Sequence, residues 1–361
     1  MSTERAALRL NDRLAAHDSP AAQLQWLKRH RLLGPIELLH QRGLVSDDLD
    51  RLALTVLDQT LVVGRQQLDE EARVLQRLSE AQVRVLVLKG VRVAYSVYPH
   101  PDQRWRSDLD LLADPSSLED VRAQLSELGY QRRWAVPGGT PTEQEVWSRT
   151  GNCEGPEIDL HWRLRNHPLL RDRFDFQEQW EQRQSIAMGN AQFQGQSDPH
   201  ALLSAVMHWF DNLYGKPRPL GWLLDMDLLW QGMSESDQRF TIELAIEKGI
   251  AGLLAANLIQ CQGLLGTAVD RRSLADLQQA AAHEKSARLI ELDGKAARQY
   301  WHAVRSESGV RGAVQRLWAG LFPPADYLRS RYPDQAHRAL PRLYVKRILD
   351  RLQSVYGRRY D

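Results

Sequence analysis

At 361 residues the chain is longer than one ordinary hydrophobic core requires, so two or three packed units are expected. Its composition, 43% hydrophobic and 26% charged, is that of a globular protein, and no apolar run approaches the ~20 residues that span a bilayer, so no membrane partner is expected. Forty-seven basic residues against 46 acidic ones leave a net charge of +1, which disfavours bulk nucleic-acid binding as a property of the whole chain.

Charges at Glu4 and Arg5 interrupt the N-terminus too early for the apolar stretch of a signal peptide. Cys153 and Cys261, the two cysteines, supply neither a disulfide framework nor zinc spacing, and a cytoplasmic location is expected. The eleven tryptophans are scattered singly and read as core and interface filling rather than a stacking platform.

In chain order, residues 1–80 read as a helical region. Gly34-Pro35 and Gly43 break its short amphipathic turns, and a longer helix runs from about Ser46 through Leu78, with Leu61, Leu68, Ala72, Leu75 and Leu78 on one face. Val83 to Leu88 is short, β-branched and apolar, which predicts a buried strand ended by Lys89-Gly90. Val91 to Tyr98 reads as a helix and Asp108 to Ala113 as the second strand. Asp114 with Pro115 then predicts a helix start, and Gly129 the stop. Tyr130 to Val136, Glu143 to Arg149 and Glu157 to Leu164 predict an antiparallel meander with turns at Pro137-Gly138-Gly139 and Gly151-Asn152. From Asp198-Pro199 onward the pattern is helical, ending in a basic amphipathic helix from Leu340 to Tyr356. The expected class is α+β, a small mixed or antiparallel sheet between helices. The units expected are an N-terminal helical region (1–80), an α/β core (81–196) and a larger C-terminal helical domain (197–361).

The chemistry concentrates in Ser107-Asp108-Leu109-Asp110-Leu111-Leu112. Strand alternation puts Asp108 and Asp110 on one face and the leucines on the other. Glu157, Asp159 and His161 share a face in the same manner, opposite Ile158 and Leu160. Two other Asp-x-Asp sequences serve as controls. Asp48-Leu49-Asp50 sits at a helix start, where acids favour the dipole, and Asp225-Met226-Asp227 sits inside a helical pattern, where residues two apart diverge. Only Asp108/Asp110 lies on a strand with a third strand offering Asp159. Three aspartates on neighbouring strands would form an oxygen-rich cage for hard divalent cations, which suits two-metal phosphoryl or nucleotidyl transfer.

Leu86-Val87-Leu88-Lys89-Gly90, Tyr98-Pro99, Arg104, Ser107 to Leu112 and Ile158-Asp159-Leu160-His161-Trp162 together resemble the uncharacterised bacterial nucleotidyltransferase-like family of the DNA polymerase beta-type nucleotidyltransferase superfamily. Met207-His208-Trp209 and Trp222 to Asp225 extend the resemblance more loosely. The resemblance implies that Asp108, Asp110 and Asp159 are catalytic residues holding Mg2+ (or Mn2+), with Asp159 orienting or deprotonating the acceptor hydroxyl. Lys89 and the backbone at Gly90 would hold the β- and γ-phosphates of an NTP, with Arg104 and Arg106 as the next phosphate contacts. His161 would either touch substrate or hydrogen-bond Asp159. Many superfamily members carry Gly-Ser about ten residues before the paired acids, whereas here Lys89-Gly90 precedes Asp108 by eighteen positions.

The expected function is metal-dependent transfer of an NMP from an NTP to a hydroxyl on a small molecule, a protein or a tRNA end. The alternatives are a catalytically silent nucleotide-binding or scaffold protein, and the nucleotidyltransferase half of a toxin–antitoxin pair.

Overall fold

The computed structural model describes residues 9–134, 144–149, 155–189, 191–211, 218–323, 325, 328–329, 332–335 and 337–356. The turns expected at Pro137-Gly138-Gly139 and Gly151-Asn152 lie outside the described residues, as do Cys153, Leu213 and the side chain of Leu61.

Four helices come first: α1 (Leu10–Ala15), α2 (Pro20–Arg29), α3 (Ile36–Gln41) and the 34-residue α4 (Asp47–Glu80). The start of α4 follows from local chemistry. The Ser46 hydroxyl accepts from the Leu49 amide, and Asp47, Asp48 and Asp50 load the first turn with charge that the helix dipole favours. Its later face buries Val74, Leu75 and Leu78 under the sheet.

The sheet has seven strands: β1 (Val85–Val87), β2 (Asp108–Ala113), β3 (Tyr130–Trp134), β4 (Gln144–Arg149), β5 (Glu157–His161), β6 (Gln184–Met188) and β7 (Ala191–Gly195), in spatial order β3-β4-β5-β2-β1-β7-β6. It is mixed: β2 pairs with β5 and β1 with β7 in parallel, and the other neighbours are antiparallel. The meander β3-β4-β5 is present as expected. The β6–β7 hairpin was not foreseen. Its alternation is diluted by glutamines and a serine, although Ile186, Met188 and Phe193 bury one face and Gly189 turns with φ +58°.

Between strands run α5 (Lys89–Ser96), α6 (Leu118–Glu127) and α7 (Phe176–Glu181). Asp114 caps a single 3-10 turn, Pro115–Ser117, that leads into α6, and Gly129 at φ +84° releases the chain. The helical pattern that opens at Asp198-Pro199 begins without an aspartate cap. Asp198 is the first residue of α8 (Asp198–Phe210), behind Ser197, and its carboxylate pairs with the buried Arg92 guanidinium at 2.6 Å. Among the described residues the chain continues through α9 (Gly221–Gly232), α10 (Glu235–Glu247), α11 (Ala251–Leu265), α12 (Arg271–Ala281), α13 (Arg288–Glu291), α14 (Ala296–Arg305), α15 (Gly309–Leu321) and α16 (Leu340–Tyr356).

The two faces of the sheet feed two cores. Leu109, Leu111, Ile158 and Leu160 pack with α4 and α6, whereas Leu86, Leu88 and Leu112 join a larger core shared by α1–α4 and α8–α13. The N- and C-terminal helices therefore meet over the face of the sheet opposite α4's later turns and α6. Among the described residues, no helix is long and apolar enough to cross a membrane.

Candidate active site

Strand register assembles the acids. Parallel pairing sets Asp108 beside Glu157, Asp110 beside Asp159 and Leu112 beside His161. Neighbouring residues in a sheet point to the same side, so Asp110 and Asp159 stand next to each other with His161 two positions along. Ligand atoms of Asp110, Asp159 and His161 lie within 4.8 Å of one another, a group that could hold a metal ion. Asp108 lies beside this group rather than within it.

Two groups meet Asp110, which is 4% exposed. The Lys89 ammonium donates to its Oδ1 at 2.5 Å, and His161 Nε2 lies 3.0 Å from the same oxygen. Burial alone would raise the Asp110 carboxyl, but Lys89 and His161 outweigh it and hold the group well below the usual carboxylate range. Burial, opposed by the bond to Asp110, brings His161 down to about 4. The imidazole is then neutral at pH 7, and a neutral ring facing a carboxylate carries its proton on Nε2 and donates it. His161 thus orients Asp110 rather than Asp159, the acid on its own strand.

Asp159 has the opposite environment. Burial, then the charges of Asp110 and Asp108, lift its carboxyl to about 8. Burial and Asp110 also raise Asp108, with Lys89, Arg31 and Arg104 pulling the other way. Neither Asp108 nor Asp159 has a hydrogen-bond or ion-pair partner among the described residues. The three acids are therefore crowded beyond what one lysine neutralises, and a bound cation would relieve that repulsion. On this ground the donor set fits a divalent metal.

At the corner after β1 the left-handed backbone falls on Lys89, at φ +46°, and not on the neighbouring Gly90. A β-carbon on Gly90 would come no closer than 3.4 Å to Arg106 Cβ, an ordinary contact. Lys89 opens α5 directly after β1, where the Leu88 amide bonds the Asp110 carbonyl at 2.9 Å. The positive end of α5 thus begins beside the acids.

Among the described residues neither Arg104 nor Arg106 bonds the three acids, although the charge of Arg104 acts on Asp108. Arg104 clamps Asp225 of α9 through Nε at 2.8 Å and Nη2 at 2.7 Å, and the Tyr98 hydroxyl donates to the same carboxylate at 2.8 Å. Arg106 Nε bonds Glu71 of α4 at 2.7 Å, and its Nη1 bonds the Pro101 carbonyl at 2.8 Å. Both guanidinium groups are buried and committed within the protein, so they tie the loop before β2 to two helices. Asp225, held by Tyr98 and Arg104, is therefore not an open carboxylate. Removing Arg104 would strand it: Arg104→Ala is expected to cost roughly 3–5 kcal/mol, the usual loss when one member of a buried pair is deleted, read as a lower urea midpoint.

Other residues at the site had no strong signal in the sequence. Arg165, fully enclosed, donates to His208 Nδ1 at 3.1 Å and to the Ser204 carbonyl at 2.8 Å, while its Nε has no partner among the described residues. His208 packs tilted against Trp222, 4.5 Å between ring centroids. Burial first, then Arg165 and Lys89, hold His208 well below its ordinary range, and the charge of Asp110 opposes them. His200 is held by Ser197 at 2.8 Å and packs on Phe174.

A comparison with curated proteins gives no match. A family model described as "Uncharacterised nucleotidyltransferase" matches residues 18–266, the stretch holding α2 through α11 and with them Asp108, Asp110 and Asp159. This chain belongs to that uncharacterised nucleotidyltransferase family.

Proposed function

We propose that the protein is a metal-dependent nucleotidyltransferase that moves an NMP from an NTP to a hydroxyl acceptor, with Asp108, Asp110 and Asp159 as its catalytic acids. The observation that carries the reading is the convergence of Asp110 and Asp159 from parallel neighbours β2 and β5, with Asp108 alongside. These carboxylates would hold Mg2+ or Mn2+, which when bound neutralises charge growing on the phosphoryl oxygens and the departing pyrophosphate.

The remaining tasks fall to the chain. The acceptor hydroxyl attacks the α-phosphorus, its new P–O bond forms as the bond to pyrophosphate breaks, and the hydroxyl proton passes to an Asp159 oxygen. His161, donating from Nε2, fixes the orientation of Asp110. Lys89 and the N-terminal end of α5 form a positive edge next to the acids, suited to the β- and γ-phosphates. The acceptor class stays open among a small molecule, a protein side chain and a tRNA end.

Incubation with an α-labelled NTP and magnesium should release labelled product or label the protein itself, together with pyrophosphate. Activity equal in wild type and the Asp108→Ala/Asp110→Ala double variant, or none in either with no NTP bound, would remove the reading.

One observation favours a second reading, a silent nucleotide-binding protein. Lys89 already occupies Asp110, as an internal cation would. NTP binding of equal strength with magnesium and with EDTA, without turnover, would select it.

A further inference from the structure

Three described non-glycine residues have positive φ, and two of them, Arg31 (+59°) and Lys89 (+46°), are among the three cations, with Arg104, whose charges act on Asp108. Left-handed backbone costs an ordinary residue roughly 1 kcal/mol or more, and it persists where surrounding structure imposes it, commonly at functional sites. Lys89 already has a place in the reading above, whereas Arg31 has none.

The surroundings of Arg31 are rigid. It lies between α2 and α3, in a loop gripped from two sides. A β-carbon on Gly34 would fall 2.1 Å from the Gln103 carbonyl oxygen, so the loop rides directly on the backbone before β2. On the other side the Gly221 amide at the start of α9 bonds the His30 carbonyl at 2.9 Å, and a β-carbon there would meet the Arg31 carbonyl at 3.0 Å. The side chain is then laid on Trp105, its guanidinium carbon 4.5 Å from the indole centroid. Trp105 is 42% exposed and stands three residues before Asp108.

The guanidinium is half-buried, yet it makes no hydrogen bond or ion pair among the described residues. Its charged neighbours are Arg104, Asp108 and Asp225. Arg104 already neutralises Asp225, which leaves Asp108 as the unpaired acid among the charges that act on Arg31 within the described residues. A divalent cation on the acids would satisfy Asp108 and leave the Arg31 fork with uncompensated positive charge at the edge of the site. A planar cation fixed by stacking, with its N–H edge open, matches the two oxygens of a phosphate group.

We propose that Arg31, stacked on Trp105 beside Asp108, binds the polyphosphate tail of the nucleoside triphosphate. The proposal rests on the nucleotidyltransferase reading and adds to it a contact from the N-terminal helices. It makes the loop between α2 and α3 part of the nucleotide site.

The test uses the full chain with magnesium, titrated by calorimetry with ATP, AMP and inorganic tripolyphosphate. Arg31→Asn is the main variant, because asparagine accepts the left-handed backbone and the loop keeps its shape. Loss of one charge-assisted contact should weaken tripolyphosphate and ATP roughly 10- to 100-fold and leave AMP unchanged. Arg31→Lys should recover only part of the loss, and Trp105→Ala should weaken the same two ligands. Arg31→Asn matching wild type for tripolyphosphate would overturn the proposal while leaving the enzyme reading intact, provided Asp110→Asn still loses magnesium-dependent ATP binding. Equal weakening of AMP and tripolyphosphate would also overturn it. A wild-type protein that binds neither ATP nor tripolyphosphate would overturn both.

Discussion

Asp110→Asn is expected to reduce nucleotidyl transfer by roughly 10²–10³-fold or more, with little change in fold. The substitution keeps the shape of the side chain and removes one negative charge from the acid that Lys89 and His161 both contact. The variant would hold a cation more weakly, and Lys89 would lose its only ion-pair partner among the described residues. Steady-state pyrophosphate release compares the two proteins, and circular dichroism verifies that the variant is folded. A variant retaining more than about a tenth of wild-type turnover would mean that Asp110 holds neither the metal nor the site together.

The second large effect concerns stability. The Asp159 carboxyl lies at about 8 in the folded protein, against about 3.9 in an unfolded chain. Raising an acid's pKa in the fold means that the fold prefers the proton. Below about 4 both states are protonated and the group costs nothing; from about 4 to about 8 the unfolded chain gives up its proton first, so stability falls as pH rises. Asp159→Asn removes that penalty. In metal-free buffer at pH 8 the variant should be more stable by on the order of 2–4 kcal/mol, a rise of roughly 3–8 °C in Tm, and at pH 4 the two proteins should melt together. Magnesium should then raise the wild-type Tm and leave the variant's nearly unmoved, since cation binding to the folded state stabilises it by mass action. An Asp159→Asn protein that melts at or below wild type at pH 8 would contradict the crowded geometry. Loss of activity alongside a gain in stability is the pattern expected where function holds like charges together.

Much of this arrangement was legible because it is local. Asp108-Leu109-Asp110-Leu111 and Glu157-Ile158-Asp159-Leu160 each alternate with period two, so each strand declares which side chains share a face. Their pairing was also inferable, since two strands with apolar residues on one face and acids on the other align when the apolar faces share a core. The result is the register of Asp110 with Asp159.

What the sequence hid is long-range or conformational. Arg104 and Arg106 look like phosphate ligands beside the acids, but their partners Asp225 and Glu71 lie 121 and 35 residues away, and no pattern near the arginines names them. The left-handed backbone fell on Lys89 although Gly90 adjoins it, because the surrounding fold, not residue preference, imposes it there. Arg31 was silent for the same reason: a lone arginine between two short helices acquires meaning only when Trp105 and Asp108 are placed beneath it. The β6–β7 hairpin escaped because Gln184, Ser185, Gln192 and Gln194 mask its apolar alternation.

The most direct trial of the central claim is manganese binding followed by electron paramagnetic resonance, in the presence of a non-hydrolysable NTP. The acids of β2 and β5 predict stoichiometric binding by wild type, with sharp weakening in Asp110→Asn and in Asp159→Asn. Manganese bound equally by all three proteins, or NTP bound as tightly in EDTA as with the metal, would contradict the account.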